Sequence, residues 1–239
     1  MMKKTIGLVV FFILISLASF ADGYWLELKG PGLPGDTLFI RIRYGGVDEQ
    51  KNRYLKNGTE LDKMKDFIVF VVSPHGKNDT IVIRQYNDYW EGSYIPQGKG
   101  LYRILALDES LPVVERPDSM QNIKPIQYLC TIYSVKDNTI ETRPVQYLDL
   151  LVAIKNDTAM IKAFIAGKPV AAGTKLRIFY PDNHDETVFV NINALAVLPL
   201  VKKGRYLVRL DMVKNKSGNF KGKRYFSIRH RCDYTLDVD

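Results

Sequence analysis

Three histidines and two cysteines carry most of the ligand and nucleophile chemistry open to this 239-residue chain. His75 sits in Ser73-Pro74-His75-Gly76, a turn signal. His184 sits in the polar stretch Pro181–Glu186, and His230 stands between Arg229 and Arg231. No two histidines have ligand spacing, either i, i+2 on a strand or i, i+4 on a helix. So few residues of these types exclude a Cys-rich zinc module or a His-cluster metalloenzyme. Exposed or structural histidines are the plain alternative to a site. Asp182, Asp185 and Glu186 could begin a calcium loop, but such a loop needs about six to eight oxygen ligands in defined order. A solvated turn explains them as well. Glycoside hydrolysis needs two poised carboxylates, and no pair stands out. Serine and cysteine nucleophile motifs are absent, so the chain is expected not to be an enzyme. The aromatic run Tyr86, Tyr89 and Trp90, with Trp25 and Tyr94, could line a sugar- or peptide-binding face. Aromatics in strand-like sequence also serve the core.

The elements that would hold these residues begin after a leader. Lys3 and Lys4 precede an apolar run from Ile6 to Phe20, and Ser19-Phe20-Ala21 fits a small-x-small cleavage site. Residues 1–21 therefore read as a secretory signal peptide cut after Ala21. The run is short for a membrane span, and no cysteine follows it to take a lipid. The expected product has no transmembrane span and works in the periplasm or outside the outer membrane of a bacterial cell. Losing the leader removes two lysines and no acid, lowering the net charge from +8 to +6. The densest basic stretch, Lys214 to Arg224 around Ser217-Gly218-Asn219, reads as a hairpin tip. Export and the lack of a stacking module exclude a nucleic-acid partner. An envelope protein or a surface glycan suits the compartment. Export also permits a disulfide between Cys130 and Cys232. Two separately buried thiols are the alternative, and the Cα separation decides.

Period-2 patterning dominates the rest. Leu38, Ile40, Ile42 and Tyr44 share one face of a strand, with Arg41 and Arg43 on the other. Tyr206, Val208, Leu210 and Met212 oppose Arg205, Arg209 and Asp211. Further strands are expected at Thr80–Tyr86, Val188–Ile192, Tyr225–Arg229 and Tyr234–Val238, among others. Glu60–Lys65 is the one helix-tolerant stretch. Many short Val-, Ile-, Tyr- and Phe-rich strands between turn signals predict an all-β sandwich architecture.

A weak internal repeat supports two units. Ile95-Pro96 leads through Lys99 and Gly100 to Tyr102, and Leu198-Pro199 leads through Lys202 and Gly204 to Tyr206. Glycine supplies the turn, and the tyrosine two residues on can bury its ring and hydrogen-bond back, as in a tyrosine corner. A duplicated binding loop is the functional alternative. The expected organisation is two tandem immunoglobulin-like or transthyretin-like β-sandwich domains, 22–145 and 146–239.

On these residues the mature chain resembles a bacterial exported family, the domain-of-unknown-function family numbered 4198. Tyr24–Leu28 resembles its opening strand, and Trp90-Glu91-Gly92 through Gly100 and Tyr102 resembles its middle. Ala166–Val170, Thr174–Tyr180 and Gly204–Tyr206 resemble a transthyretin-like or carboxypeptidase-regulatory-like half. The family has been linked to nickel or cobalt uptake, so the resemblance implies a non-catalytic envelope protein that binds a ligand or partner, with a divalent transition metal as one ligand. Family members often begin with a histidine, whose imidazole and terminal amine would chelate such a metal. This chain has Asp22 there, offering an amine and a carboxylate. A histidine before the last strand also recurs in the family, which singles out His230. With Asp22 and His75 it completes the metal candidates. A structural or adhesion module that binds carbohydrate at an outer-membrane complex is the other reading.

Overall fold

The computed structural model describes residues 22–48, 50, 52–116, 121–136 and 143–239. The leader read from the sequence lies outside them. The described chain is an all-β sandwich of nineteen strands and one 3-10 helix, Gly58–Met64.

Its centre is an eight-stranded sheet. On one side lie β4 (Ile68–Val72), β5 (Asn78–Ile81), β8 (Gly100–Asp108) and β9 (Ile123–Val135). On the other lie β13 (Lys175–Phe179), β14 (Asp185–Phe189), β16 (Gly204–Lys214) and β19 (Ser227–Val238). The order is β14-β13-β16-β19-β9-β8-β4-β5. Every ladder is antiparallel except the middle one, where β19 and β9 run parallel from Ser227↔Ile123 to Tyr234↔Cys130. Each half thus repeats one plan, an outer hairpin, then a corner strand, then a seam strand.

A parallel pair related by a half-turn about the strand direction presents opposite faces, and the flanking sheets obey this. The first flank holds β1 (Gly23–Lys29), β2 (Leu38–Val47), β3 (Arg53–Leu55), β6 (Arg84–Gln85) and β7 (Trp90–Tyr94). It packs Leu26, Ile40 and Ile42 onto Ile104, Leu129 and Tyr133. The second flank holds β10 (Leu148–Lys155), β11 (Thr158–Ile165), β12 (Lys168–Pro169) and β15 (Ala196–Pro199). It packs Leu150, Ile161 and Leu198 onto Tyr128, Cys130, Val208 and Cys232. On β9 the odd residues Leu129 and Tyr133 join one core and the even residues Tyr128 and Cys130 the other. The boundary expected between 145 and 146 falls in the link from β9 to β10, while strands from both sides of it share the central sheet.

Both tyrosine corners are present. Tyr102 Oη accepts from Gly98 N–H at 3.1 Å and donates to Gly98 C=O at 2.9 Å. Tyr206 Oη does the same with Lys202, at 2.9 Å each. Gly100 and Gly204 hold φ of +127° and +116°. A Cβ at Gly100 would come within 2.5 Å of Pro74 Cγ, and one at Gly204 within 2.9 Å of Pro181 Cβ. The repeat is structural: glycine lets the corner strand pass the prolines of the outer hairpins.

Four expectations need correction. Thr80–Tyr86 is not one strand: β5 belongs to the central sheet and β6 to the first flank, with Val82 exposed at the crossing. Alternation does not reveal a change of sheet. Val188–Ile192 slides to Asp185–Phe189, because Asn191 Oδ1 accepts from Asn193 and Leu195 N–H and turns the chain there. The two last strands merge after Phe226 into β19, where Asp233 pairs with Arg209 and Arg229 with Asp211 across the ladder to β16. The basic hairpin reverses at Lys221-Gly222, both at positive φ, between β17 (Gly218–Phe220) and β18 (Lys223–Tyr225), and not at Ser217–Asn219.

The link between the halves is held by a buried ion pair. Arg103 on β8 meets Asp149 on β10 through two contacts of 2.6 and 2.9 Å. The same carboxylate accepts from Val145, Gln146 and Leu150 N–H, and Arg103 also donates to Arg143 C=O.

Candidate functional site

At one end of the molecule a groove of about 590 Å³ runs between the 3-10 helix, the loop after β8 and the β17–β18 hairpin. Its apolar surface comes from Tyr24, Tyr44, Leu111, Pro112, Val113 and Phe220. Tyr24 and Tyr44 stack at 4.7 Å, and Phe67 meets Tyr24 edge-on at 5.3 Å, so this wall is backed by the core. Burial, then the nearby Asp108 and Asp22, push the Tyr24 hydroxyl up to about 12, so it stays a neutral donor. Lys63, Lys65, Lys221 and Lys223 edge the groove against Asp62 and Asp66. Lys223 pairs with Glu115 at 3.2 Å, and Lys63 Nζ stands 3.5 Å from the Tyr44 hydroxyl.

Lys124 holds the walls together. Only 5% exposed, it donates to the carbonyls of Glu109, Leu111 and Pro125 at 2.6, 2.8 and 3.0 Å. Its Nζ also lies 4.1 Å from the centre of the Phe220 ring. One ammonium thereby fixes the loop wall by hydrogen bonds and the hairpin wall by a cation–π contact. Burial pulls its pKa below the usual lysine value. All three donors are used, so Lys124 positions the groove while the rim lysines face solvent. Beneath the loop, buried Asp108 accepts from Ser110 N–H at 2.6 Å.

The sequence-derived metal candidates do not converge. The Asp22 carboxylate accepts from the Tyr44 hydroxyl at 3.0 Å and from that of Tyr54, on the first flank. His75 lies in the β4–β5 turn, on a separate mixed-polarity cavity of about 730 Å³ with Arg103 and Arg143. His230 is 6% exposed and faces the core on the second flank's side. Its Nδ1 is 3.0 Å from the Tyr128 hydroxyl, and Tyr147 covers its ring at 4.5 Å. Burial, and secondarily Lys214, lower its pKa to about 4. Among the described residues no three His, Cys, Asp or Glu side chains group as a metal cage.

The acidic turn is an exposed network. Asp182 meets His184 Nδ1 at 2.5 Å and also Lys202, which together hold its carboxyl down at about 2. His184 stacks on Tyr180 at 4.0 Å. The aromatic run divides. Tyr86 is half exposed and stacks on Tyr89 at 5.0 Å, and Arg41 and Arg43 lie over the Tyr89 ring at 4.4 and 4.7 Å. Trp90 instead packs against the core and donates its indole N–H to Leu61 C=O at 3.0 Å. Cys130 and Cys232 are buried free thiols, with sulfurs 3.6 Å apart.

Sequence reasoning missed the groove. Its basic hairpin was visible only as a hairpin tip. A signal that could have found it is Lys124 itself, a lone charge directly before the apolar run that starts at Ile126. No protein-family model matches the chain, and no curated protein does. Among the described residues no helix is long and apolar enough to cross a membrane.

Proposed function

We propose that this is an exported, non-catalytic binding protein of the bacterial envelope, and that its groove takes an amphiphilic anion: an extended apolar body ending in a carboxylate or similar head. The observation that carries this is the apolar groove whose walls Lys124 ties together and whose rim holds four lysines. Its volume lies in the range of small-ligand sites, about 300–1,000 Å³. The apolar floor favours an acyl or ring body by burial. The lysine rim favours a negative head, with a strength that falls as salt rises. The non-catalytic part is supported by the use of buried ionisable groups in structural pairs, Arg103 with Asp149 and Arg209 with Asp233.

Calorimetric titration with dodecanoate, dodecanol and dodecyltrimethylammonium tests the reading. Saturable, salt-sensitive binding of dodecanoate is expected, weakened about tenfold by Lys63→Glu with Lys221→Glu. Equal binding of all three, or none, refutes it. A second reading rests on Tyr86, whose half-exposed ring over Tyr89 could stack on a sugar. If Tyr86→Ala abolishes retention on a glycan array while dodecanoate is not bound, adhesion replaces ligand carriage.

A further inference from the structure

Cys130 and Cys232 meet where the two halves join. Both side chains are fully buried, and the sulfurs are 3.6 Å apart although the residues stand 102 apart in sequence. The parallel register sets Cys232 opposite Tyr128 and Cys130 opposite Tyr234. The thiols are therefore diagonal neighbours on one face, both inside the second core. Their other polar contacts are weak, to Leu150 C=O and Asp233 C=O at 3.9 Å. A disulfide needs sulfurs about 2.05 Å apart, so the sulfurs must close by about 1.5 Å; diagonal neighbours on adjacent strands stand about 7–8 Å apart, so β9 and β19 must also draw together slightly at this point.

We propose that Cys130 and Cys232 are a covalent modification site, closed to a disulfide during folding so that the bond clamps the parallel seam between the two halves. One thiol, as thiolate, attacks a sulfur of an external disulfide and expels one thiol. The second cysteine then attacks the mixed disulfide and expels the other. The two cysteines lose two protons and two electrons, and the external disulfide is reduced to two thiols. That oxidant is a small-molecule disulfide or an envelope dithiol oxidoreductase. Both thiols are fully enclosed, and burial pushes the Cys232 thiol up, so the exchange belongs to the folding chain, before β19 docks on β9. The closed bond is then shielded from reductants. Only the place of oxidation in the cell rests on the export reading.

The test has two arms. In the first, the full chain is reduced, unfolded, and refolded in oxidised and reduced glutathione. It is then unfolded again in N-ethylmaleimide and weighed. The expected product takes up no maleimide, weighs about 2 Da less than the reduced chain, and yields a proteolytic fragment joining the Cys130 and Cys232 peptides. A refolded monomer with native circular dichroism and two maleimides overturns the proposal. In the second arm, protein drawn directly from the envelope of a bacterial host is trapped in the same way, which needs no refolding. A bridge there supports both the proposal and export. Two free thiols there, with a bridge in the first arm, count against export alone. The Cys130→Ala/Cys232→Ala variant should unfold at lower urea than the bridged protein and match the reduced one, and equal midpoints for bridged and variant protein would show that the bond clamps nothing.

Discussion

Removing the Asp149 carboxylate should cost this protein a large part of its stability. Asp149 is fully buried, and Arg103 is 3% exposed. Their two contacts, 2.6 and 2.9 Å, satisfy both guanidinium nitrogens that face the acid. In Asp149→Ala, Arg103 keeps the carbonyls of Arg143 and Leu150 but loses its counter-charge. Breaking a buried pair in this way costs about 3–5 kcal/mol. Val145 and Gln146 N–H lose an acceptor as well, so at least the middle of that range is expected, about 4 kcal/mol. Against a typical total of about 5–15 kcal/mol, this is severe. With a urea m-value of about 3 kcal/mol/M for a chain of this size, the unfolding midpoint should fall by about 1.3 M. Asp149→Asn keeps the shape and the oxygen acceptor but not the charge, and should lose somewhat less. Arg103→Met with Asp149→Leu replaces the pair with apolar groups and should recover most of the loss. The assay is urea unfolding followed by both tryptophan fluorescence and far-ultraviolet circular dichroism. A midpoint shift below about 0.3 M for Asp149→Ala, or a double variant as weak as the single one, would refute the reasoning.

Other predictions follow from the same kind of geometry. His230 is held neutral with its pKa lowered to about 4. The unfolded chain therefore takes up a proton near pH 6.5 that the folded chain refuses, and stability falls as pH drops from about 6.5 to 4, by about 2–3 kcal/mol. The stability of His230→Gln, whose amide can still meet Tyr128, should gain on that of wild type as pH falls through that window and hold a constant offset from it near neutral pH; parallel pH profiles would count against it. Lys124→Met should strip the donor from three carbonyls, destabilise by about 2 kcal/mol, and weaken dodecanoate binding even though Lys124 does not reach the ligand; unchanged affinity would mean that the groove walls do not depend on it. Tyr102→Phe and Tyr206→Phe should each cost about 1–2 kcal/mol in thermal or urea melts, and similar losses from the two would confirm that the corners are equivalent.

The strands, the short helix near residue 60 and the two corners were legible because each is a local matter. Alternation selects a face, glycine permits the turn, and a tyrosine two residues later bonds back over a few residues. The burial of His230 was not legible, because the sequence left it between two expected strands that the structure joins into one. The charge balance is also readable from composition alone. What alternation cannot encode is which strand lies beside which. That β9 and β19 run parallel, that Cys130 reaches Cys232, and that Lys63 and Lys65 end up across a groove from Lys221 and Lys223 depend on how two sheets cover opposite faces of a third. The same packing separated Asp22, His75 and His230, which sequence had grouped by chemistry. The sequence by itself determined what each segment is, because backbone conformation answers to neighbours a few residues away. Only the tertiary structure decided which segments meet, because burying the two apolar faces of the shared sheet is a choice made over the whole chain.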